Sequence, residues 1–187
     1  MTVTSNDVAN QALQLVGNNL PPVTGFAPTF DSSSVGTTLA LLYGPVVQTV
    51  GRQFGWDFAR NLVALTPTGN TPFLYNYEYV YPTNGVEVWQ IVPATIDVNN
   101  PLPTTWSVAN TLVAGVQTKV IQTNVAAAQA VYNNNPTEAT WDALFREAVV
   151  RLLASELAMA NVGRPDTAER NLQSGAAFES LGESRKG

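Results

Sequence analysis

The sequence of 187 residues contains neither cysteine nor histidine. Without cysteine the chain forms no disulfide and offers no thiolate, and without histidine a Ser-His-Asp or Cys-His arrangement is excluded. Only Asp and Glu remain as general bases near neutral pH and as good metal ligands. The glycines form neither a Walker A motif nor the GxGxxG pattern of phosphate-binding loops. Most of the chemistry that enzymes use is therefore missing.

The acidic residues are scattered along the chain and do not form pairs suited to hydrolysis. Asp142 and Arg146 are four residues apart, and so are Glu147 and Arg151. This spacing is typical of ion pairs on the solvated face of a helix. We therefore predict that the protein is not an enzyme and uses no cofactor and no metal.

Charge is also scarce, since only 12% of the residues are charged, which is about half the usual share. A surface with little charge is poorly protected against association, which favours a subunit whose surface is covered by neighbouring copies. The alternative is a stable monomer with a neutral polar surface. The net charge of −5 argues against tight non-specific binding to nucleic acid, which depends on Lys and Arg.

Long apolar runs are absent as well. No run approaches the roughly 18 residues that a transmembrane helix needs. The N-terminus lacks the basic and then apolar layout of a signal peptide. The sequence therefore predicts a protein that is soluble and intracellular where it is made.

Apolar residues at helical spacing predict helices in both halves of the chain. The first covers roughly residues 5–17 and the second about 31–54, with a kink or break predicted near residues 40–43 because Pro45 lies inside it. The third covers about residues 138–161, and the fourth runs from about 165 to Leu181. The first two and the last two helices are expected to pack as a four-helix bundle.

Aromatic residues follow the second helix in a pattern that does not continue it. Trp56 and Phe58 flank Asp57 and indicate a turn whose rings anchor the core of the domain. An exposed aromatic site for a ligand is the alternative.

The centre of the chain has few charges and a period of two, which is typical of strands. Tyrosines recur at every second position, and further strands are predicted at about residues 86–91, 106–108, 112–114 and 119–122. Turns are expected at Asn110 and Gly115, and residues 124–132 are expected to be helical or irregular. The tyrosines could stack on bases, but they lack interleaved Lys or Arg, which favours a packed or inter-subunit sheet face.

These elements predict an α+β protein that is mainly helical. Residues 1–60 and 138–187 are expected to form the four-helix bundle domain, and residues 61–137 a β-rich insertion between helices two and three.

Several segments, taken in order, resemble the head-to-tail adaptors of tailed bacteriophages, which are similar to the podoviral tail tubular protein A. Tyr43–Val47 with Phe54–Arg60 resembles the second helix and tryptophan turn of these adaptors. Tyr77–Pro82, leading to Val86–Trp89, resembles their tyrosine-rich strand, turn and next strand. Trp141–Ala158 is similar to their third helix. Together the segments span nearly the whole chain.

The resemblance implies a structural virion protein. Such adaptors form a homo-oligomeric ring, commonly a dodecamer, that sits below the portal protein, extends the DNA channel and offers a platform to the downstream tail or nozzle protein. Genomic DNA would pass through the lumen without sequence-specific binding, and no membrane is involved. The protein is then expected in the virion neck, at the head-tail interface, and in the host cytoplasm before assembly.

Contact residues are predicted on the same basis. Three residues near the C-terminus are candidates for the portal contact: Leu181, Arg185 and Lys186. Six aromatic residues are candidates for contacts with neighbours or the tail: Tyr75, Tyr77, Tyr79, Tyr81, Trp89 and Trp106. Two other functions remain open, namely another neck or tail ring protein (a stopper or tail completion subunit) and an aromatic ligand-binding module.

Overall fold

The structure, a computed structural model, describes residues 2–17, 20–53, 55–95 and 104–160. The chain divides into two compact units. The described parts of Met1–Phe58 and Pro136–Gly187 form a helical unit, and Ala59–Asn135 forms a strand-rich unit.

The described residues of the helical unit form three α-helices: α1 (Ser5–Val16), α2 (Ser34–Gln53) and α3 (Ala143–Ala160). Short 3-10 turns cover Asp57–Ala59 and Glu138–Thr140. Helix α1 begins at a capping box, in which the Thr4 hydroxyl accepts from the Asp7 amide and the Asp7 carboxylate accepts from the Thr4 amide. The predicted bounds of the first helix are confirmed.

Helix α2 begins directly after Asp31 and Ser33, whose side chains cap its first turn. The Ser33 hydroxyl accepts from the Gly36 amide at 3.0 Å, and the Asp31 carboxylate in turn accepts from the Ser33 and Thr24 amides. The helix continues through Pro45 without a break. The sequence predicted a kink or break near residues 40–43. A break is wrong, because the buried stripe that includes Leu39 and Val46 holds both halves in one helix, and a kink stays a prediction.

Helix α3 forms the centre of the helical unit, in contact with both α1 and α2. It is buried on more than one side, and nine of its residues are buried: Phe145, Ala148, Val149, Val150, Leu153, Ala154, Ser155, Leu157 and Ala158. The mixture of alanines with larger aliphatic residues lets two helices approach it. This explains why a wide apolar face is visible in its sequence.

The described residues of the strand-rich unit form six strands: β1 (Arg60–Ala64), β2 (Tyr77–Val80), β3 (Gly85–Pro93), β4 (Trp106–Val113), β5 (Val116–Thr123) and β6 (Ala128–Asn134). They form two antiparallel three-stranded sheets, ordered β1-β6-β3 and β2-β5-β4. Buried residues from both sheets share one apolar cluster that includes Tyr79, Ile91, Ile121 and Ala130. This cluster is the core of the unit.

The predicted fold class, a mainly helical protein built on a four-helix bundle, is wrong. The described residues form three helices and six antiparallel strands in two sheets, so the fold is mixed α+β with strands at least as prominent as helices. The segment predicted as the fourth helix lies outside the described residues.

Strand β6 was also predicted wrongly. Its alanines suggested a helical or irregular segment, yet β6 is the central strand of its sheet. Ala128 and Ala130 are buried in the same apolar cluster as Tyr79 and Ile121, which belong to the other sheet. Packing between the sheets has therefore overridden local propensity.

The turns of the strand-rich unit are partly as predicted. Strands β4 and β5 are joined by Ala114 and Gly115, both with positive φ, as a two-residue hairpin turn requires. The turn predicted at Asn110 is wrong, because this residue lies within β4 opposite Lys119. No helix among the described residues is long and apolar enough to cross a membrane.

Candidate interaction site

The two residues predicted as core anchors belong to an aromatic cluster of the helical unit. Trp56 is 5% exposed, and its indole N–H donates to the carbonyl oxygen of Val50 at 2.9 Å. The rings of Trp56, Phe58 and Trp141 all surround the ring of Phe145, at centroid distances of 5.1, 5.1 and 4.8 Å. The indole of Trp141 also donates to the Pro136 carbonyl at 3.0 Å, which fixes the chain where it enters α3.

The four tyrosines predicted as contact residues lie in different environments. Tyr79 and Tyr81 are 2% and 8% exposed and belong to the core of the strand-rich unit. The hydroxyl of Tyr79 donates to the Val125 carbonyl at 2.9 Å, and Lys119 lies over the ring of Tyr81. Tyr75 is half-buried, whereas Tyr77 is 41% exposed. Of the four, Tyr77 is the one with most surface to offer a partner.

The two predicted tryptophan contacts also differ. Trp89 is 39% exposed and lies at an irregularity of β3, where the register against β6 shifts between Val88 and Gln90. Alternation with the buried Val88 accounts for the outward position of Trp89, and the register shift brings Ile91 rather than Gln90 to the buried face. Trp106 begins β4 opposite Thr123 and packs against the core cluster.

Among the described residues of the strand-rich unit, the most exposed large apolar side chains precede β2. Phe73 is 100% exposed and Leu74 is 76% exposed. We call these two residues the tip. Isolated exposed apolar residues are common on protein surfaces, but a fully exposed phenylalanine beside an exposed leucine in an uncharged loop is typical of an interaction site.

A buried carboxylate lies at the base of this loop. Glu78, in β2, is 3% exposed. Its Oε1 accepts hydrogen bonds from Thr68 at 2.9 Å, Asn70 at 2.9 Å and Thr111 at 3.0 Å. Its Oε2 accepts from the side-chain amide of Gln122 at 2.9 Å. No Lys or Arg in the described part of the chain pairs with Glu78, so neutral donors alone solvate this carboxylate.

These hydrogen bonds determine the ionisation of Glu78. Burial by itself would raise the pKa of the carboxyl group, but the bonds donated by Gln122, Asn70, Thr68 and Thr111 outweigh burial and lower the pKa below its usual value. Glu78 is therefore ionised at neutral pH. Its negative charge holds together β2, β4, β5 and the segment that contains Thr68 and Asn70.

The loop that carries the tip is attached at both ends. On one side the amide of Asn70 donates to Glu78 and also to the Leu112 carbonyl, at 2.9 and 3.1 Å. On the other side the backbone N–H of Asn76 donates to the side chain of Asn124 at 3.0 Å. Residues 71–75 thus lie between two residues, Asn70 and Asn76, that hydrogen bonds hold in place, and the loop that carries the tip is fixed at both ends.

The three predicted portal contacts, Leu181, Arg185 and Lys186, lie outside the described residues. Among the residues that the structure does describe, no group of three or more Asp or Glu side chains is placed to hold a metal ion. No protein-family model matches the sequence, and no curated protein is similar to it.

The sequence analysis missed both the tip and the role of Glu78. Two signals could have found them. Glu78 is one of very few charged residues between Asn61 and Thr137, and it lies between Tyr77 and Tyr79, so its side chain is on the face of the strand opposite to these two rings. Phe73 and Leu74 follow Pro72 in a loop sequence, where apolar residues have no core to join.

Proposed function

We propose that this protein is a structural subunit of a tailed bacteriophage, a head-to-tail adaptor that assembles into a ring below the portal. The ring extends the DNA channel and provides the attachment platform for the tail. The assignment is supported by the resemblance to adaptors of three segments that occur in the same order along the chain: Tyr43–Val47, Tyr77–Pro82 and Trp141–Ala158.

One observation carries the proposal beyond the resemblance. The strand-rich unit exposes Phe73 fully and Leu74 largely, in a chain in which only 12% of the residues are charged. Uncharged surface with protruding apolar side chains is costly to keep in water and suits a subunit that is covered by neighbours. The attached ends of the loop support a contact role, because a preorganised element loses less entropy on binding.

The test is the mass of the purified protein in solution, first alone and then mixed with its cognate portal ring. An adaptor is expected to join the portal as a stoichiometric ring. If the protein is a monomer by itself and forms this ring only with the portal, the portal templates the assembly. A portal ring from an unrelated phage is the matched control and should recruit no subunits.

A strict monomer that ignores the cognate portal would contradict the proposal. The exposed rings of Trp89 and Tyr77 would then become candidates for a ligand site, to be examined through quenching of tryptophan fluorescence. A protein that joins a neck ring other than the portal would instead be a stopper or tail completion subunit.

A further inference from the structure

We propose that Asn84, in the turn between β2 and β3, is a site of spontaneous deamidation in the folded protein. In this reaction the backbone nitrogen of the next residue attacks the carbonyl carbon of the asparagine side chain, and a succinimide ring forms. The proton of the attacking nitrogen leaves with the side-chain amide as ammonia. Water then opens the ring at either carbonyl group and gives aspartate or isoaspartate. The product carries one negative charge that the amide lacked.

The residue that follows Asn84 is the one that hinders the attack least. Asn84 is the one asparagine in the chain that glycine follows. A side chain on the following residue shields its backbone nitrogen and restricts the rotation that brings this nitrogen to the asparagine side chain. Glycine has no Cβ and has the widest backbone freedom, so Gly85 presents neither obstacle. The sequence therefore distinguishes this position from every other asparagine.

The side chain of Asn84 is accessible and is not held by other groups. Asn84 is exposed in the turn, and in the described part of the chain its amide takes part in no hydrogen bond. The side-chain amides of Asn10, Asn61 and Asn70, by contrast, all donate hydrogen bonds. Rotation toward the attacking nitrogen would break these bonds, whereas the amide of Asn84 can turn without such a loss.

One hydrogen bond restrains the attacking nitrogen. The backbone N–H of Gly85 donates to the Pro82 carbonyl at 2.9 Å and closes the turn. This bond must open before the nitrogen can lose its proton and attack. Opening one hydrogen bond of ordinary net strength slows a reaction by roughly 2- to 10-fold. The folded turn therefore delays the reaction at Asn84 but does not prevent it.

The packing around the turn requires glycine at the position that makes Asn84 reactive. A Cβ on Gly85 would lie 3.0 Å from a ring carbon of Tyr81 and 3.1 Å from the Pro82 carbonyl oxygen, closer than ordinary van der Waals contact. The ring of Tyr81 is 8% exposed, belongs to the core cluster and has Lys119 over it, so it cannot move away cheaply. The fold thus keeps the residue that leaves Asn84 open to attack.

The modification changes the charge of the turn more than its shape. Asn84 lies directly before β3, and the pairing of β3 with β6 is already irregular between Gly85 and Glu87. The extra backbone carbon of an isoaspartate therefore falls at the end of the sheet, outside its regular part. We expect the modified protein to stay folded, as most changes at exposed positions allow. Its new carboxylate joins Glu87 in a unit with very few charges.

Peptide mapping of the full-length protein by mass spectrometry tests the inference. One sample is kept folded in a mildly alkaline buffer, which favours loss of the backbone proton, and a second is unfolded by guanidinium in the same buffer. Asn110 is the matched internal control, since it is also exposed, its amide makes no hydrogen bond to the described residues, and Thr111 follows it. Asn84 in the folded protein should convert faster than Asn110, and roughly 2- to 10-fold more slowly than Asn84 in the unfolded chain.

Two variants identify the source of the new charge. In N84Q the side chain is one carbon longer and closes the corresponding ring far more slowly. On isoelectric focusing, the natural chain should therefore develop an acidic band during incubation that N84Q develops much more slowly. N110Q is the control, and its band should grow as in the natural chain.

The outcomes decide the inference without reference to the portal or to a ring. Conversion at Asn84 that precedes conversion at Asn110 and is lost in N84Q supports it, whether or not the proposed function holds. If Asn84 stays intact in the folded protein while the unfolded chain is converted, the turn protects it and the inference is wrong. It is equally wrong if Asn110 converts first, or if the acidic band grows as fast in N84Q as in the natural chain.

Discussion

Replacing Glu78 by glutamine changes one oxygen of a buried carboxylate into an amide nitrogen and removes the charge. If the amide oxygen keeps the place of Oε1, it still accepts from Thr68, Asn70 and Thr111. The amide nitrogen then faces the side-chain nitrogen of Gln122, which donated to Oε2 at 2.9 Å. In the observed orientation of Gln122 two donors then point at each other, and an acceptor is restored only if the Gln122 amide turns over and exchanges its nitrogen for its oxygen.

The magnitude follows from these four bonds. Leaving a buried donor without a partner costs about 1–3 kcal/mol, and hydrogen bonds to a charged acceptor are stronger than neutral ones. Part of this loss is offset, because an amide is less costly to bury than a carboxylate. We expect E78Q to lower the free energy of unfolding by about 2 kcal/mol at neutral pH. For a chain of this size that corresponds to a fall in melting temperature of about 4–8 °C.

The difference between E78Q and the wild-type protein should depend on pH. The folded state lowers the pKa of Glu78 below its ordinary value of 4.5, so the ionised form contributes stability that is present above that value. This contribution is lost as the pH falls through the pKa of the folded state, while glutamine does not titrate. The difference in melting temperature should therefore be full at pH 7 and shrink steadily below about pH 4.5.

Thermal unfolding followed by circular dichroism at a series of pH values provides the measurement. Glu87→Gln is the matched control, since Glu87 lies half-buried in β3 and its carboxylate makes no hydrogen bond to the described residues. Its substitution should change stability by less than about 0.5 kcal/mol. If E78Q and E87Q melt alike at pH 7, the hydrogen bonds to Glu78 do not stabilise the fold, and the reasoning fails.

Three further predictions concern the helical unit, each measured by thermal unfolding. Gly36→Ala should destabilise by about 1–3 kcal/mol, because its Cβ would clash with the carbonyl oxygen of Asp31; an unchanged melting temperature would contradict this. Asp31→Asn should lower the melting temperature at pH 7, and the difference should vanish toward pH 2, because hydrogen bonds from Ser33 and Thr24 lower the pKa of Asp31 to about 2; a difference independent of pH would refute it. Phe145→Ala should lower the free energy of unfolding by about 3–5 kcal/mol, since this ring is 1% exposed and central to the aromatic cluster. A loss below about 1 kcal/mol would show that the cluster is not part of the core.

The helical elements could be predicted because their signals are local. The capping residue Thr4 and the spacing of Val8, Ala9 and Ala12 define α1 within one turn of its bounds. Pro45 suggested a break in α2 that is absent, because the interactions that keep this helix continuous are not local. It removes one hydrogen bond from α2, but the side chains buried on both sides of it keep the helix continuous, and packing is not visible in a local pattern.

The strands were harder to predict because their stability comes from partners distant in sequence. Strand β1 pairs with β6, some 70 residues further along the chain, and no turn motif in the sequence predicts this pairing. The alanines of β6 have a helical propensity, yet they are buried where two sheets meet. The hairpin of β4 and β5 has local turn chemistry at Gly115, and there the sequence was informative.

The sequence indicated a row of tyrosines in and before β2, next to the candidate site, but neither the tip nor the role of Glu78. Alternation correctly placed the side chains of Tyr77 and Tyr79 on one face, where their rings lie 6.3 Å apart. Alternation could not show which of these tyrosines is buried, because burial depends on how the two sheets pack against each other. Tyr79 is therefore buried while Tyr77 is partly exposed.

In the ring that we propose, the scarcity of charge and the burial of Glu78 act together on the contacts between subunits. An interface without charges avoids the cost of desolvating them, but it also lacks the charge pairs that fix orientation. Orientation must then come from shape, which requires the protruding element to be held in place before it binds. Glu78 supplies this constraint through Asn70, at one end of the loop that carries Phe73 and Leu74. A substitution at Glu78 should therefore weaken contacts between copies even at temperatures where the strand-rich unit remains folded.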